Sequence, residues 1–340
     1  MKFKSDFLRE INSRGFIYQS SDIDNLDDLM SKKKITAYIG FDITSDSLHI
    51  GSLVQLMLLN WLDEFGHNTI ALVGGGTTLV GDPSGKDTTR KIMTLSQISE
   101  NINKIKKTFN QFINLKKRGS IINNYEWLAD LNYINFLRDI GSKLTINKML
   151  TYESVKNRLD REQPLTFLEF NYMLLQSYDF YHLKKNYDCE LQMGGSDQWG
   201  NIINGIDLIR KILNEKSYAL TSPLITNADG SKMGKTAKGA VWLDEKKLSN
   251  FDFYQFWRNI EDGNVNKFLK LFTKISLNEI EKLKLTKSRS DTKRLIKSKG
   301  IKINDEIYNS EDLSLHSYLE LSNIKISVGK KNVGVLKIKN

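Results

Sequence analysis

Tyr38-Ile-Gly-Phe-Asp-Ile-Thr-Ser-Asp-Ser-Leu-His-Ile-Gly-Ser52 is the stretch on which the reading of this 340-residue chain turns. Residues 35–40 are β-branched, aromatic and apolar and end in glycine, the composition of a short buried strand. Residues 49–65 are apolar at helical spacing, with Leu53, Leu56, Met57, Leu59, Asn60 and Trp61 wrapping several turns. The polar turn between them would sit at a helix N-terminus, where free N–H groups and a partial positive charge suit phosphate. It carries a carboxylate at Asp42, a hydroxyl at Thr44, an imidazole at His49 and a second hydroxyl at Ser52. Gly40 and Gly51 leave room for a ligand to approach the backbone. Taken alone, the turn is equally an ordinary strand-to-helix connection with a capping Ser or Asp.

Working outward, residues 68–73 read as a second strand, so strand, helix and strand make a βαβ unit and a parallel sheet. The glycine run that follows, Gly74 to Lys86, matches neither standard nucleotide loop. Gly74-x-Gly76 lacks a third glycine, and Gly85-Lys86 is followed by Asp87 where a phosphate loop needs Ser or Thr. Further on, residues 165–180 are apolar and long enough for a buried helix. Tyr172, Gln176 and Asp179 recur there at spacings of four and three, which puts them on one face. Polar groups on a buried stripe must be hydrogen-bonded, either to a neighbouring helix or to a ligand.

Composition bounds the rest. The length suits two or three domains, and an apolar content of 40% supports a sizeable core. Cys189 is the lone cysteine, so no disulfide framework is expected. Four scattered histidines offer no zinc cluster, and no protein metal site is expected. No apolar leader or membrane span is present, so a cytoplasmic location with no membrane partner is the expectation. Residues 281–340 hold 14 Lys and Arg against 7 Asp and Glu, which is +7 of the chain's net +10. That imbalance fits a polyanionic partner such as nucleic acid, or lysine drift in an AT-rich genome.

The opening run, Tyr-x-Gly-Phe-Asp-x-Thr-x-x-Ser-Leu-His-x-Gly, resembles the first signature of the tyrosyl-tRNA synthetases, a family of class I aminoacyl-tRNA synthetases. One letter departs: Ser52 stands where that signature carries a second histidine. Three further segments share the resemblance. These are the run around Asp82-Pro-Ser-Gly-Lys86, the run Gln192-Met-Gly-Gly-Ser-Asp-Gln-Trp-Gly-Asn201, and Ser231-Lys-Met-Gly-Lys235, which matches the second class I signature. The resemblance implies an α/β fold, a class I Rossmann-like parallel sheet with a helical insertion. It also implies a substrate set of ATP with Mg²⁺, L-tyrosine and tRNA(Tyr).

The resemblance further implies the site. Tyr38, Asp82, Tyr172, Gln176, Asp179, Gln192 and Gln198 would hold tyrosine, with Tyr38 and Asp179 bracketing its phenol. Gly40, Asp42, His49, Gly51, Ser52, Gly195, Asp197, Lys232, Lys235 and Thr236 would bind ATP. Among these His49, Lys232 and Lys235, with Thr44, would stabilise the charge that develops on the leaving phosphates. Asp82 has a plainer reading as a turn-forming Asp-Pro. Lys86 and Arg90 would lie near phosphates or the tRNA end. A polar and basic region, 142–161, would supply dimer contacts and dock the acceptor stem, or else be a solvated face.

The domain expectation is a catalytic body at 1–262 with an insertion at about 123–165, a short helical linker at 263–287, and a C-terminal module at 288–340. That module resembles the small α+β S4-like RNA-binding fold, with Arg289, Lys293, Arg294 and Lys297 on one helical face suited to RNA phosphates. Bacterial members of the family usually carry a sizeable helical domain where this chain has only about 275–287. The activity implied is tyrosine–tRNA ligation by a homodimer. The alternatives are a tryptophan-specific sister enzyme and an RNA-binding protein with an impaired catalytic body.

Overall fold

The computed structural model describes residues 3–81, 93–114, 117–162, 164–226, 233–236, 239–277, 294, 297–307, 323–328 and 332–337. They form two compact units, Met1–Phe256 and Trp257–Asn340.

The first unit begins with α1 (Asp6–Arg14), β1 (Gln19–Ser20) and α2 (Ile23–Lys32). Ser5 and Asp22 cap the two helices through their side-chain oxygens. The expected βαβ unit follows as β2 (Thr36–Phe41), α3 (Leu53–Glu64) and β3 (Asn68–Val73), with a single 3₁₀ turn, Ile50–Ser52, leading into α3. The glycine run beyond β3 winds into a short helix, α4 (Gly75–Val80). Then come α5 (Leu95–Phe112), β4 (Gly119–Asn123), α6 (Tyr125–Leu128), α7 (Tyr133–Asp139), α8 (Ile146–Met149) and α9 (Glu153–Asp160). α7 ends at Asp139, and a 3₁₀ turn, Gly141–Lys143, takes over. Gly141 has no side chain to pack at that point and poor helix propensity. The long apolar helix is α10 (Phe167–Tyr187), started by a capping box between Thr166 and Glu169. Next come β5 (Cys189–Gly195), α11 (Trp199–Leu213) and β6 (Tyr218–Ser222). Two two-residue strands, β7 (Lys235–Thr236) and β8 (Gly239–Ala240), pair antiparallel.

The six-stranded sheet runs β1-β6-β5-β2-β3-β4. All its pairs are parallel except β1 with β6. The chain moves outward from β2 through β3 to β4, and on the other side from β5 to β6. The order therefore reverses between β2 and β5, and in open α/β sheets ligands bind in the crevice outside the carboxyl ends at such a reversal. Strand alternation then sorts the side chains. Phe41 meets Phe109 of α5, ring centroids 4.9 Å apart. Tyr38, on the opposite face, meets Phe180 of α10 at 5.4 Å. Its register partner Gln192 shares that face.

The second unit takes in the end of α12 (Asn250–Arg258) and α13 (Asp262–Phe272), whose Phe268 and Phe272 pack on Trp257 at 5.9 and 5.0 Å. Strands β9 (Ile301–Ile303), β10 (Glu306–Ile307), β11 (Asn323–Val328) and β12 (Asn332–Lys337) form an antiparallel sheet in the order β10-β9-β11-β12. Asn304 and Asp305 take positive φ values of 48° and 69° in the two-residue turn between β9 and β10. The Asn304 side-chain oxygen accepts from the Lys325 N–H at 2.8 Å, fixing the turn to β11.

Candidate active site at the sheet crossover

One end of the crevice is a cluster of polar side chains carried by β2, β5 and α10. Tyr38, Tyr172, Asp179 and Gln192 are all buried, and Gln176 and Gln198 are half-buried. The helical face expected from sequence is real, and each of its three members has a different partner. The Tyr172 hydroxyl donates to the Asp42 carboxylate at 3.3 Å. The Gln176 amide donates to Gln198 Oε1 at 3.4 Å, and the same oxygen accepts from Asn201 at 3.0 Å. Asp179 accepts from Asn124 Nδ2 and from the Trp127 indole N–H, each at 2.8 Å. Burial pushes the Asp179 carboxyl up to about 7, and these two donors pull against that rise. Burial, with Asp179 nearby, raises the Tyr38 phenol well above its ordinary value. Three buried atoms here, Tyr38 Oη, Gln176 Oε1 and Gln192 Oε1, have no hydrogen-bond partner among the described residues. Unpaired buried polar groups cost stability, so a polar ligand that meets them would be favoured.

Asn124 and Trp127 went unnoticed in the sequence because β4, which positions them, is short and half polar. Asn124 does more than hold Asp179. Its side chain accepts from the Gly76 N–H at 2.8 Å and donates to Thr77 Oγ1 at 3.0 Å, so it ties β4, α4 and α10 together. Asn123 accepts from the Gly75 N–H at 3.1 Å. Trp127 also stacks on His182, at 4.2 Å and 13° between planes. A buried amide just past a strand's carboxyl end was the available signal.

The other end of the crevice is open. Gly40, Thr44 and His49 are exposed, while Asp42, Gly51, Ser52 and Asp197 are half-buried. The His49 ring folds back over the turn, and its Nδ1 accepts from the Gly51 N–H at 2.9 Å. A Cβ on Gly51 would lie 2.6 Å from that ring, so a larger residue would displace the imidazole from this position. Ser52 precedes α3 and makes no side-chain capping bond. On β5, Gly195 is buried and a Cβ there would meet Asp197 Oδ1 at 2.8 Å.

The segment after the second signature returns to this turn. Gly234, with φ +104°, packs so closely that a Cβ would come within 2.7 Å of Ile50 Cγ2. The Val241 N–H donates to the Gly234 carbonyl, and the Ile50 N–H donates to the Val241 carbonyl, each at 2.9 Å. Lys235 and Thr236 belong to the backbone of β7, and their side chains fall outside the described residues. Asp82, Lys86, Arg90, Lys232, Arg289 and Lys293 lie outside the described residues as well. Arg294 and Lys297 are exposed on the second unit.

In the basic region 142–161, two cations are used internally. Arg158 is buried and donates to Glu169 at 2.6 Å, and Lys148 pairs with Asp207. Lys143, Lys156 and Arg161 are exposed. Among the described residues, no helix is long and apolar enough to cross a membrane.

A parallel sheet with its order reversed beside two glycine-rich turns, and two signature segments in contact, is the architecture of a class I synthetase. The profile described as tRNA synthetases class I (W and Y) matches residues 30–314, and the chain belongs to this family. Several of its relatives within the family carry the name Tyrosine--tRNA ligase. It is 57% identical to the Tyrosine--tRNA ligase of Pelagibacter ubique over 82% of this chain and 69% of that one. It is 55% identical to that of Brucella abortus over 83% of this chain and 68% of that one. Among solved structures, the C-terminally truncated mitochondrial tyrosyl-tRNA synthetase of Aspergillus nidulans is similar with a TM-score of 0.74 and 30% identity, over 85% of each chain. The chain thus spans about two thirds of the length of those two bacterial relatives. These likenesses support neither the tryptophan-specific alternative nor the non-catalytic one.

Proposed function

We propose that this chain catalyses tyrosine–tRNA ligation in two steps within the crevice. Tyrosine's carboxylate oxygen attacks the α-phosphorus of ATP in line. A new O–P bond forms as the bond to pyrophosphate breaks. A ribose hydroxyl of the terminal adenosine of tRNA(Tyr) then attacks the carbonyl of the tyrosyl-adenylate, and AMP leaves. No covalent enzyme intermediate is needed, so positioning and charge stabilisation carry the rate.

The observation that carries this reading is the buried pair Tyr38 and Asp179, with a phenol oxygen that has no hydrogen-bond partner among the described residues. A tyrosine phenol there could donate to Asp179 and accept from Tyr38, which phenylalanine cannot do. Tyr172, Gln176, Gln192 and Gln198 would orient the amino acid's main chain, and Asp82 its ammonium group. Gly195 and Asp197 would take the ribose of ATP. Thr44, His49, Lys232 and Lys235 would meet the β- and γ-phosphates, with Gly40, Asp42, Gly51, Ser52 and Thr236 completing the site. ATP enters as its Mg²⁺ complex, so the metal comes with the substrate. Cytoplasm, where ATP and tRNA are found, is the expected setting.

The partners follow the same reading. The insertion and the start of α10 carry exposed apolar side chains, among them Ile134 at 67% and Phe167 at 69% exposure, with Tyr133, Ile146 and Leu168. Apolar exposure on this scale supports a homodimer contact. Residues 288–340 would act as the S4-like RNA-binding module, reached from the catalytic body through 263–287, with Arg289, Lys293, Arg294 and Lys297 on tRNA phosphates. Lys86 and Arg90 would serve the acceptor end. Charging of tRNA(Tyr) with labelled tyrosine tests the whole reading. Charging with tyrosine supports it, and transfer of another amino acid in tyrosine's place would overturn it.

A further inference from the structure

The strand residues after β8 do more than close the second signature. Leu48 and Leu243, and Ile50 and Val241, are joined by backbone hydrogen bonds of 2.9 Å, which makes His49 and Trp242 an antiparallel bridge pair. Their rings meet edge to face with centroids 6.3 Å apart. The Lys247 ammonium lies 4.5 Å from the centre of the Trp242 ring. That ammonium is also paired with Asp46, which sits three residues before His49 in the first signature turn. Lys104 of α5 reaches Asp46 at 3.5 Å. The half-buried indole therefore neighbours both the His49 imidazole and a cation that the signature turn itself holds.

We propose that Trp242 is a positioning residue for His49, with Lys247 and Asp46 holding the indole in place. The inference rests on the phosphate-binding role given to His49 above. The ring fixes the imidazole at the mouth of the crevice, and the lysine pins the ring from the rim. Because Val241 is also bonded to Gly234, the same clip joins the second signature to the first. The Asp46 carboxyl is held below its ordinary value by its hydrogen bond from Lys247.

The test is tyrosine-dependent ATP–pyrophosphate exchange by the full chain, with His49→Ala, Trp242→Leu, Trp242→Phe and the double variant His49→Ala/Trp242→Leu. Trp242→Leu is expected to lower kcat about 10- to 100-fold with the KM for tyrosine unchanged, since a 1 Å misplacement can cost that much. Trp242→Phe keeps an aromatic edge and should restore most of the rate. If Trp242 acts through His49, its substitution costs little more once His49 is alanine. A full multiplicative loss in the double variant, or an unchanged kcat in a Trp242→Leu protein with native circular dichroism, overturns the proposal. Failure of the site reading looks different: there His49→Ala itself leaves exchange intact.

Discussion

The two ends of the crevice are built on opposite plans. At the end with the polar cluster, Asp179, Tyr38 and Gln192 are buried, and Asp179 is held by two donors from a neighbouring segment. At the signature end, Thr44 and His49 are exposed, and His49 is oriented by its own turn and by a ring from a distant strand. Recognition of a fixed amino acid benefits from groups that are desolvated and pre-paired, because a mismatched ligand then leaves them unpaired. Phosphate departure instead benefits from groups that gain interaction as charge develops. The comparison predicts that substitutions at one end alter which substrate is used, and those at the other alter how fast.

The sharpest break would come at the rim. His49→Ala should lower kcat for exchange about a hundredfold, with little change in the KM for tyrosine. A matching rise in that KM would erase the distinction between the ends. Next, Asp179→Ala should cut the preference for tyrosine over phenylalanine about 10- to 100-fold, the cost of leaving buried polar groups unmatched. Competitive exchange with both amino acids reads that ratio directly. Smaller still, Asn124→Ala or Trp127→Phe should raise the KM for tyrosine about 3- to 10-fold, since each removes one of the two donors that orient Asp179.

The smallest effect is in the pH dependence of stability, where two buried groups slope in opposite directions. Burial raises Asp179 from 3.8 to about 7, so the folded state holds a proton that the unfolded state gives up. Its contribution is full below about 4 and is lost as pH rises through about 7. His67 is the reverse. Burial lowers it from 6.5 to about 4, and its ring nitrogen accepts from the Ile35 N–H at 3.2 Å. Its contribution is full above 6.5 and is lost as pH falls toward 4. Each slope is at most about 1.4 kcal/mol per pH unit. Denaturant titrations from pH 4 to 7 should show that Asp179→Asn gains stability relative to the parent as pH rises. His67→Asn should gain relative to the parent as pH falls. Parallel curves for all three proteins would remove both assignments.

Much of this was legible in the chain, and unevenly so. β3 falls at the boundaries read for it, and the βαβ unit followed from the apolar runs around 35–40, 49–65 and 68–73. The face Tyr172–Gln176–Asp179 followed from spacing alone. What escaped was carried by short or irregular pieces. β4 and β6 have five residues each and few alternating positions, so they left no clear period. Asn124, Trp127 and Trp242 matter through contacts across 47 to 193 residues of sequence, and no local pattern encodes such a meeting. The fate of Arg158 shows the converse. In sequence it belongs to a basic face, whereas in the fold its charge is spent on Glu169, at the start of the helix that carries Asp179.

Tyrosine-dependent ATP–pyrophosphate exchange, run beside phenylalanine and tryptophan, tests the central claim most directly. The account predicts exchange with tyrosine and little with the other two. Equal exchange with phenylalanine would show that the Tyr38–Asp179 pair does not read the phenol, and no exchange with tyrosine would contradict the assignment of this crevice to amino-acid activation.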